Sequence, residues 1–154
     1  MTVSNIRSAA KFKQLALLID DQPTVLDIHT AILKSLKMNL KIVAMTNPLE
    51  ALEWMKNKQV DLIITDFRMH QMNGMQFVET INNIGDGPPK PIIVVTVLKD
   101  LKIQQELIAA GASACLTKPV QTEALATLSR MLLAQSKQFY SVDLTDSLKH
   151  ADNF

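Results

Sequence analysis

Five short apolar runs rich in Ile, Val and Leu recur along the chain, each followed by a turn-forming break and then a stretch with helical periodicity. They are Leu15 to Ile19, Leu40 to Met45, Val60 to Thr65, Ile92 to Val97 and Ala114 to Thr117. A strand covered by helices on both faces buries both of its sides, so it reads as an almost unbroken apolar run rather than an alternating one. The first, third and fourth runs have that character and are expected to be central strands; the second and fifth are more mixed.

Between the runs, apolar residues fall at helical spacing. Val25, Ile28, Ile32 and Leu36 form one stripe, Phe77, Ile81 and Ile84 another, then Ile103, Leu107 and Ala110, and last Leu125, Leu128 and Leu132. Asn47 before Pro48 supplies an N-cap and a first-turn proline for a helix through Leu52 and Met55. Gly111 is placed to end the fourth helix in a left-handed conformation. The stretch from Gly85 to Pro91 holds two glycines and three prolines and is expected to be a loop. Five strand–helix units with right-handed crossovers predict an α/β fold, the flavodoxin-like doubly wound parallel sheet of order 2-1-3-4-5 with helices on both faces.

A chain of 154 residues fits one domain. The reading divides it into an N-terminal arm over 1–14, a globular domain over 15–135 and a tail or linker start over 136–154. Hydrophobic residues make up 47% and charged residues 20%, the balance of a globular protein. A net charge of +1 gives no electrostatic footprint for nucleic acid or an anionic membrane, so neither is an expected partner. Cys115 is the only cysteine, which rules out an intramolecular disulfide and suits a reducing compartment. No stretch has the length of a signal-peptide core or a membrane span, so a cytoplasmic location is expected.

In this architecture the carboxyl ends of the strands converge on one crevice. The first strand runs into Asp20 and Asp21, the third into Asp66; the fourth carries Thr96 near its end and the fifth runs into Lys118 and Pro119. Crowded carboxylates repel unless a cation lies among them, and an all-oxygen donor set suits Mg²⁺. With that ion present, Asp66 is a nucleophile toward phosphorus, Lys118 offsets charge on the phosphoryl oxygens, and Thr96 can donate a hydrogen bond to one of them.

With these five positions in order, each at a strand end, the sequence resembles the response-regulator receiver domains of two-component phosphorelay signalling over Leu15 to about Gln135. The resemblance implies that Asp21 and Asp66 bind Mg²⁺ directly, that Asp20 assists largely through water, and that the backbone carbonyl of Arg68 is a further ligand. It implies that Asp66 takes its phosphoryl group from a phosphohistidine on a sensor histidine kinase or a histidine phosphotransfer protein. It also implies a cis peptide before Pro119 and a turn at Asn73–Gly74 that opens the third helix. The face made by helix four, strand five and helix five is the family's output surface, read by a downstream protein target, a C-terminal output domain or a second copy in a homodimer. Lys102, Gln105 and Glu106 lie on it.

Three positions depart from the family pattern. His70 stands where proline is usual. Val97 stands where a small residue is common, and its bulk is expected to slow loss of the phosphoryl group. Cys115 stands where an aromatic ring usually swings inward. Taken alone, Cys115 reads as a small buried hydrophobe, and His29, His70 and His150, which have no metal-ligand spacing to one another, read as surface residues. Met69 and Met72 flank the site loop and are expected to pack it.

Three rival functions fit less well, one of them a non-phosphorylated receiver relic used only as a scaffold, which predicts loss of at least one of the acidic, Thr or Lys positions where none is lost. An Mg-dependent phosphohydrolase with an aspartate nucleophile needs a second carboxylate two residues on, where this chain has Arg68. A nucleotide- or flavin-binding module needs a glycine-rich loop after the first strand, where this chain has Asp20-Asp21-Gln22-Pro23. The expectation is therefore a phospho-accepting signalling domain rather than an enzyme.

Overall fold

The computed structural model describes residues 14–84 and 87–151, with side chains described as far as Lys137. The arm up to residue 13, and the side chains of Phe139, Tyr140, Leu144, Leu148, His150 and Phe154, lie outside the described residues. Strands β1 (Gln14–Ile19), β2 (Leu40–Met45), β3 (Leu62–Asp66), β4 (Ile92–Thr96) and β5 (Ala114–Thr117) alternate with helices. The helices are α1 (Pro23–Lys34), α2 (Pro48–Met55), α3 (Gly74–Asn82), α4 (Leu101–Ala110) and α5 (Thr122–Ala151). All strand pairs are parallel, in the order β2-β1-β3-β4-β5, which is the expected doubly wound sheet. β3 and β4 are buried along their whole length, whereas β2 and β5, at the edges, are mostly half-buried or exposed.

Successive side chains on a strand point to opposite faces, and the two cores follow from that alternation. Leu17, Ile19, Ile63, Ile92 and Val94 face Leu52, Met55, Phe77, Val78, Ile81 and Leu107 of α2, α3 and α4. Ala16, Leu18, Leu62, Ile64, Ile93 and Val95 face α1 and α5 through Leu26, Ile32, Leu33, Leu125 and Leu133. Each fully buried Leu, Ile or Phe contributes roughly 1.5–3 kcal/mol relative to exposure, so these two layers fix the register that carries the strand ends to one edge.

Several boundaries and stripes differ from the expectation. β3 starts at Leu62 rather than Val60, because Asp61 is engaged as a bracket: its N–H donates to the Leu15 carbonyl at 2.8 Å and its carboxylate accepts from Leu15 N at 2.8 Å. β3 then ends on Asp66, and β4 ends at Thr96, one residue before Val97. On α1 the buried positions are Leu26, His29, Ile32 and Leu33, while Ile28 is 54% exposed. The helix is turned by about one residue from the predicted stripe, because two consecutive pairs of apolar residues leave its phase ambiguous. Ile84 lies past the end of α3 and is exposed, and on α5 Leu133 is fully buried where Leu132 is half-buried.

The helix ends match their sequence signals. Asn47 Oδ1 accepts from Leu49 N at 2.9 Å, and Asn73 with Gln76 forms a reciprocal capping box. Gly111 ends α4 at φ +121°, beneath the Asn82 side chain, whose Nδ2 donates to the Ala110 carbonyl. At the amino edge of the sheet, Gln14 Nε2 donates to the Leu133 carbonyl at 2.7 Å and Ser136 Oγ to Asp61 Oδ1 at 3.0 Å. Both bonds hold α5, which runs unbroken through residues 135 and 136.

Candidate functional site

At the carboxyl edge, β1 delivers Asp20 and Asp21 and the neighbouring β3 delivers Asp66. One carboxylate oxygen from each of the three lies within 4.8 Å of the others. Asp20 is 2% exposed and Asp66 8%. Asp20 Oδ1 accepts from Gln22 N at 2.9 Å, which turns the chain into α1 while aiming the carboxylate into the crevice. Gly74 sits directly against the Phe67 backbone, donating its N–H to the Phe67 carbonyl at 2.7 Å. A Cβ there would lie 3.0 Å from Phe67 Cα, so only glycine lets α3 start this close to the loop after Asp66.

The Lys118–Pro119 peptide is cis. Lys118 Nζ reaches 3.1 Å from Asp66 Oδ1 and 3.2 Å from Asp20 Oδ2, so one ammonium spans two buried carboxylates. Burial pushes the Asp66 carboxyl above the usual carboxylate range; the Asp20 charge adds to this, and the Lys118 ammonium opposes it. Burial acts to lower the Lys118 pKa, but the carboxylates of Asp66 and Asp20 outweigh it and hold the ammonium above its ordinary value. The cluster is under-neutralised: three carboxylates face one cation. An oxygen-rich site with surplus negative charge fits a hard divalent ion such as Mg²⁺.

Thr96 is 1% exposed at the end of β4, one residue beyond the partner of Asp66 in the sheet register. Its Oγ1 accepts from Leu98 N at 3.0 Å. Arg68 lies exposed in the loop after β3. Met69 and Met72 pack with Phe67 against the core, as expected of residues flanking that loop. Cys115 is half-buried on β5, and burial raises its thiol pKa.

Of the histidines read as surface residues, His29 departs from that reading and His70 keeps to it. His29 is 5% exposed on α1. Desolvation lowers its pKa, the Asp20 carboxylate opposes this, and Lys118 adds to it. The spacing Leu26, His29, Ile32/Leu33, Leu36 carried the signal that it faces the sheet. His70 is exposed, but its Nε2 lies 3.3 Å from Asp21 Oδ2. Nothing in the local sequence announces that contact, which depends on how the loop folds back. Beside Lys118, Val25, Ile28, His29, Val97, Pro119 and Val120 line a mostly apolar depression of about 410 Å³. Among the described residues no helix is long and apolar enough to cross a membrane.

A family model described as the response regulator receiver domain matches residues 16–130. Among curated relatives, the chain is 30% identical over 125 residues to the cyclic di-GMP phosphodiesterase response regulator RpfG of Xanthomonas campestris pv. campestris, covering 81% of this chain and 33% of that protein. It is 27% identical over 127 residues to the signal transduction histidine-protein kinase BarA of Escherichia coli K12, covering 82% of this chain and 14% of that one. The chain thus spans a third or less of the length of these relatives. The fold is shared with the chemotaxis response regulator CheY4 of Vibrio cholerae, with a TM-score of 0.70 and 24% identity over 79% of this chain and 99% of that one.

Proposed function

The chain belongs to the response regulator receiver domain family of two-component systems, and on that premise we propose that it is a signalling switch that accepts a phosphoryl group on Asp66. The observation that carries this reading is the single Lys118 ammonium held within 3.2 Å of both Asp66 and Asp20, beside a third carboxylate.

In the proposed step, a carboxylate oxygen of Asp66 forms a P–O bond as the P–N bond of a phosphohistidine breaks, and the departing imidazole takes up a proton. Lys118 is placed to follow the charge: its contact with Asp66 becomes a contact with the phosphoryl oxygens as the carboxylate is esterified. The Thr96 hydroxyl donates to a phosphoryl oxygen, which gives the sheet a group that reports the modified state. Arg68 stands two residues after Asp66, at the position where an aspartate-nucleophile phosphohydrolase needs its acid–base carboxylate, which favours a stable acyl phosphate over hydrolytic turnover. Asp21, Asp66 and the Arg68 carbonyl, with Asp20 assisting, would hold Mg²⁺, which would supply neutralisation of the phosphoryl oxygens.

The donor is a sensor histidine kinase or a histidine phosphotransfer protein in the cytoplasm. The output is a change in the α4–β5–α5 face, where Leu101 and Ile108 stand exposed; it is read by a downstream protein, an attached output domain or a second copy. Residues 15–135 constitute the receiver and 136–154 a tail or linker start. Acetyl phosphate with Mg²⁺ is expected to label the protein one-for-one on an acid-stable, base-labile bond, and Asp66→Asn is expected to take no label. Equal labelling of both proteins would overturn the assignment.

A further inference from the structure

We infer that Gln104 is the positioning residue that couples the phosphorylation state to α4, doing so through the Leu98 peptide rather than through an aromatic ring on β5. The inference rests on the phosphoacceptor reading of Asp66. Leu98 is held at both of its backbone groups: its N–H donates to Thr96 Oγ1 at 3.0 Å, and its carbonyl accepts from Gln104 Nε2 at 3.3 Å. The Gln104 carbonyl in turn lies 3.9 Å from Cys115 Sγ. Thr96 at the end of β4, the loop leading to α4, α4 itself and β5 are thereby joined in one chain of contacts that begins at the site.

The anchoring of α4 makes that chain matter. Leu107 is its only fully buried residue, and its carboxyl end is fixed to α3 by the Asn82 bond to Ala110. At its amino end Ile103 packs partly buried against the core, while Leu101 is 71% exposed and Val97, in the loop before it, 54%. The Asp100 cap is internal to the helix start, donated by Lys102 N. The Gln104–Leu98 bond is what ties this end to the loop. A phosphoryl oxygen that draws the Thr96 hydroxyl toward Asp66 takes the acceptor away from Leu98 N–H, because a threonine hydroxyl moves between discrete rotamer wells. The peptide then hangs from Gln104 alone and can turn, carrying the amino end of α4 with it. Cys115, small and at the far end of the chain of contacts, has no ring with which to exert this by bulk.

The test is amide hydrogen exchange over residues 98–104 in the full chain, before and after labelling with acetyl phosphate and Mg²⁺, with label stoichiometry measured on the same samples. In the wild type, labelling is expected to speed exchange of this segment about fivefold, the order of one net hydrogen bond. Gln104→Glu keeps the shape but removes the donor. It is expected to label normally, to exchange about fivefold faster before labelling, and to respond little to it. Gln104→Lys restores a donor of similar reach and is expected to restore the response. A Gln104→Glu protein that labels fully and responds like the wild type overturns the coupling alone. A wild type that takes no label overturns the phosphoacceptor reading and the coupling with it.

Discussion

His29 and Asp66 are both shifted by burial, in opposite directions, because one is charged when protonated and the other when deprotonated. The His29 pKa in the folded chain lies below its ordinary 6.5. Its contribution to stability is therefore fully present above pH 6.5 and is lost as pH falls through the depressed value. Urea denaturation at pH 7.5 and 5.5 is expected to show a larger acid-side loss for the wild type than for His29→Gln. Equal losses would mean that other groups carry the dependence. The raised Asp66 pKa works the opposite way, its stability cost easing on acidification, so the comparison between the two proteins is what isolates the imidazole. The acidic and basic site residues were legible in the sequence because each terminates an apolar run, and the fold turns that one-dimensional mark into a shared edge. His29 was misjudged although its spacing to Leu26, Ile32 and Leu33 marks it as buried, because Ile28 beside it competed for the apolar position of that turn. Gln104 lay beyond sequence reading altogether: where a long polar side chain reaches is decided by the loop it finds.

Strands and helices emerged from the pattern in the right number and order, and the errors were of phase and edge. Two-sided burial makes β1, β3 and β4 unmistakable, whereas where β3 begins depends on Asp61 pairing with Leu15, a contact 46 residues away in sequence. Gly111 was readable as a helix stop, but not the neighbour that makes it irreplaceable. Its φ of +121° disfavours any side chain, and an added Cβ would overlap Nδ2 of Asn82. Gly111→Ala is expected to destabilise the protein by about 1–3 kcal/mol in urea denaturation. Adding Asn82→Ala should recover the part due to overlap and leave the backbone part, so a double variant no more stable than Gly111→Ala would remove the steric explanation.

At the scale of the molecule, two apolar layers hold a sheet whose carboxyl edge concentrates uncompensated charge. Three carboxylates against one lysine mean that the folded state is relieved by a divalent cation that the unfolded chain has no organised site to bind. Millimolar Mg²⁺ is expected to raise the melting temperature by about 2–5 °C, with EDTA reversing the effect. Asp21→Asn should blunt that rise; an undiminished rise would place the ion elsewhere. The opposite edge has a different significance. Gln14 and Asp61 grip α5 at Leu133 and Ser136, one turn apart, which sets the rotational phase of the helix as it leaves the sheet. At about 100° per residue, a single residue inserted just after Ser136 would swing the azimuth of everything beyond it by more than a quarter circle, while seven inserted residues would return it almost to its starting bearing.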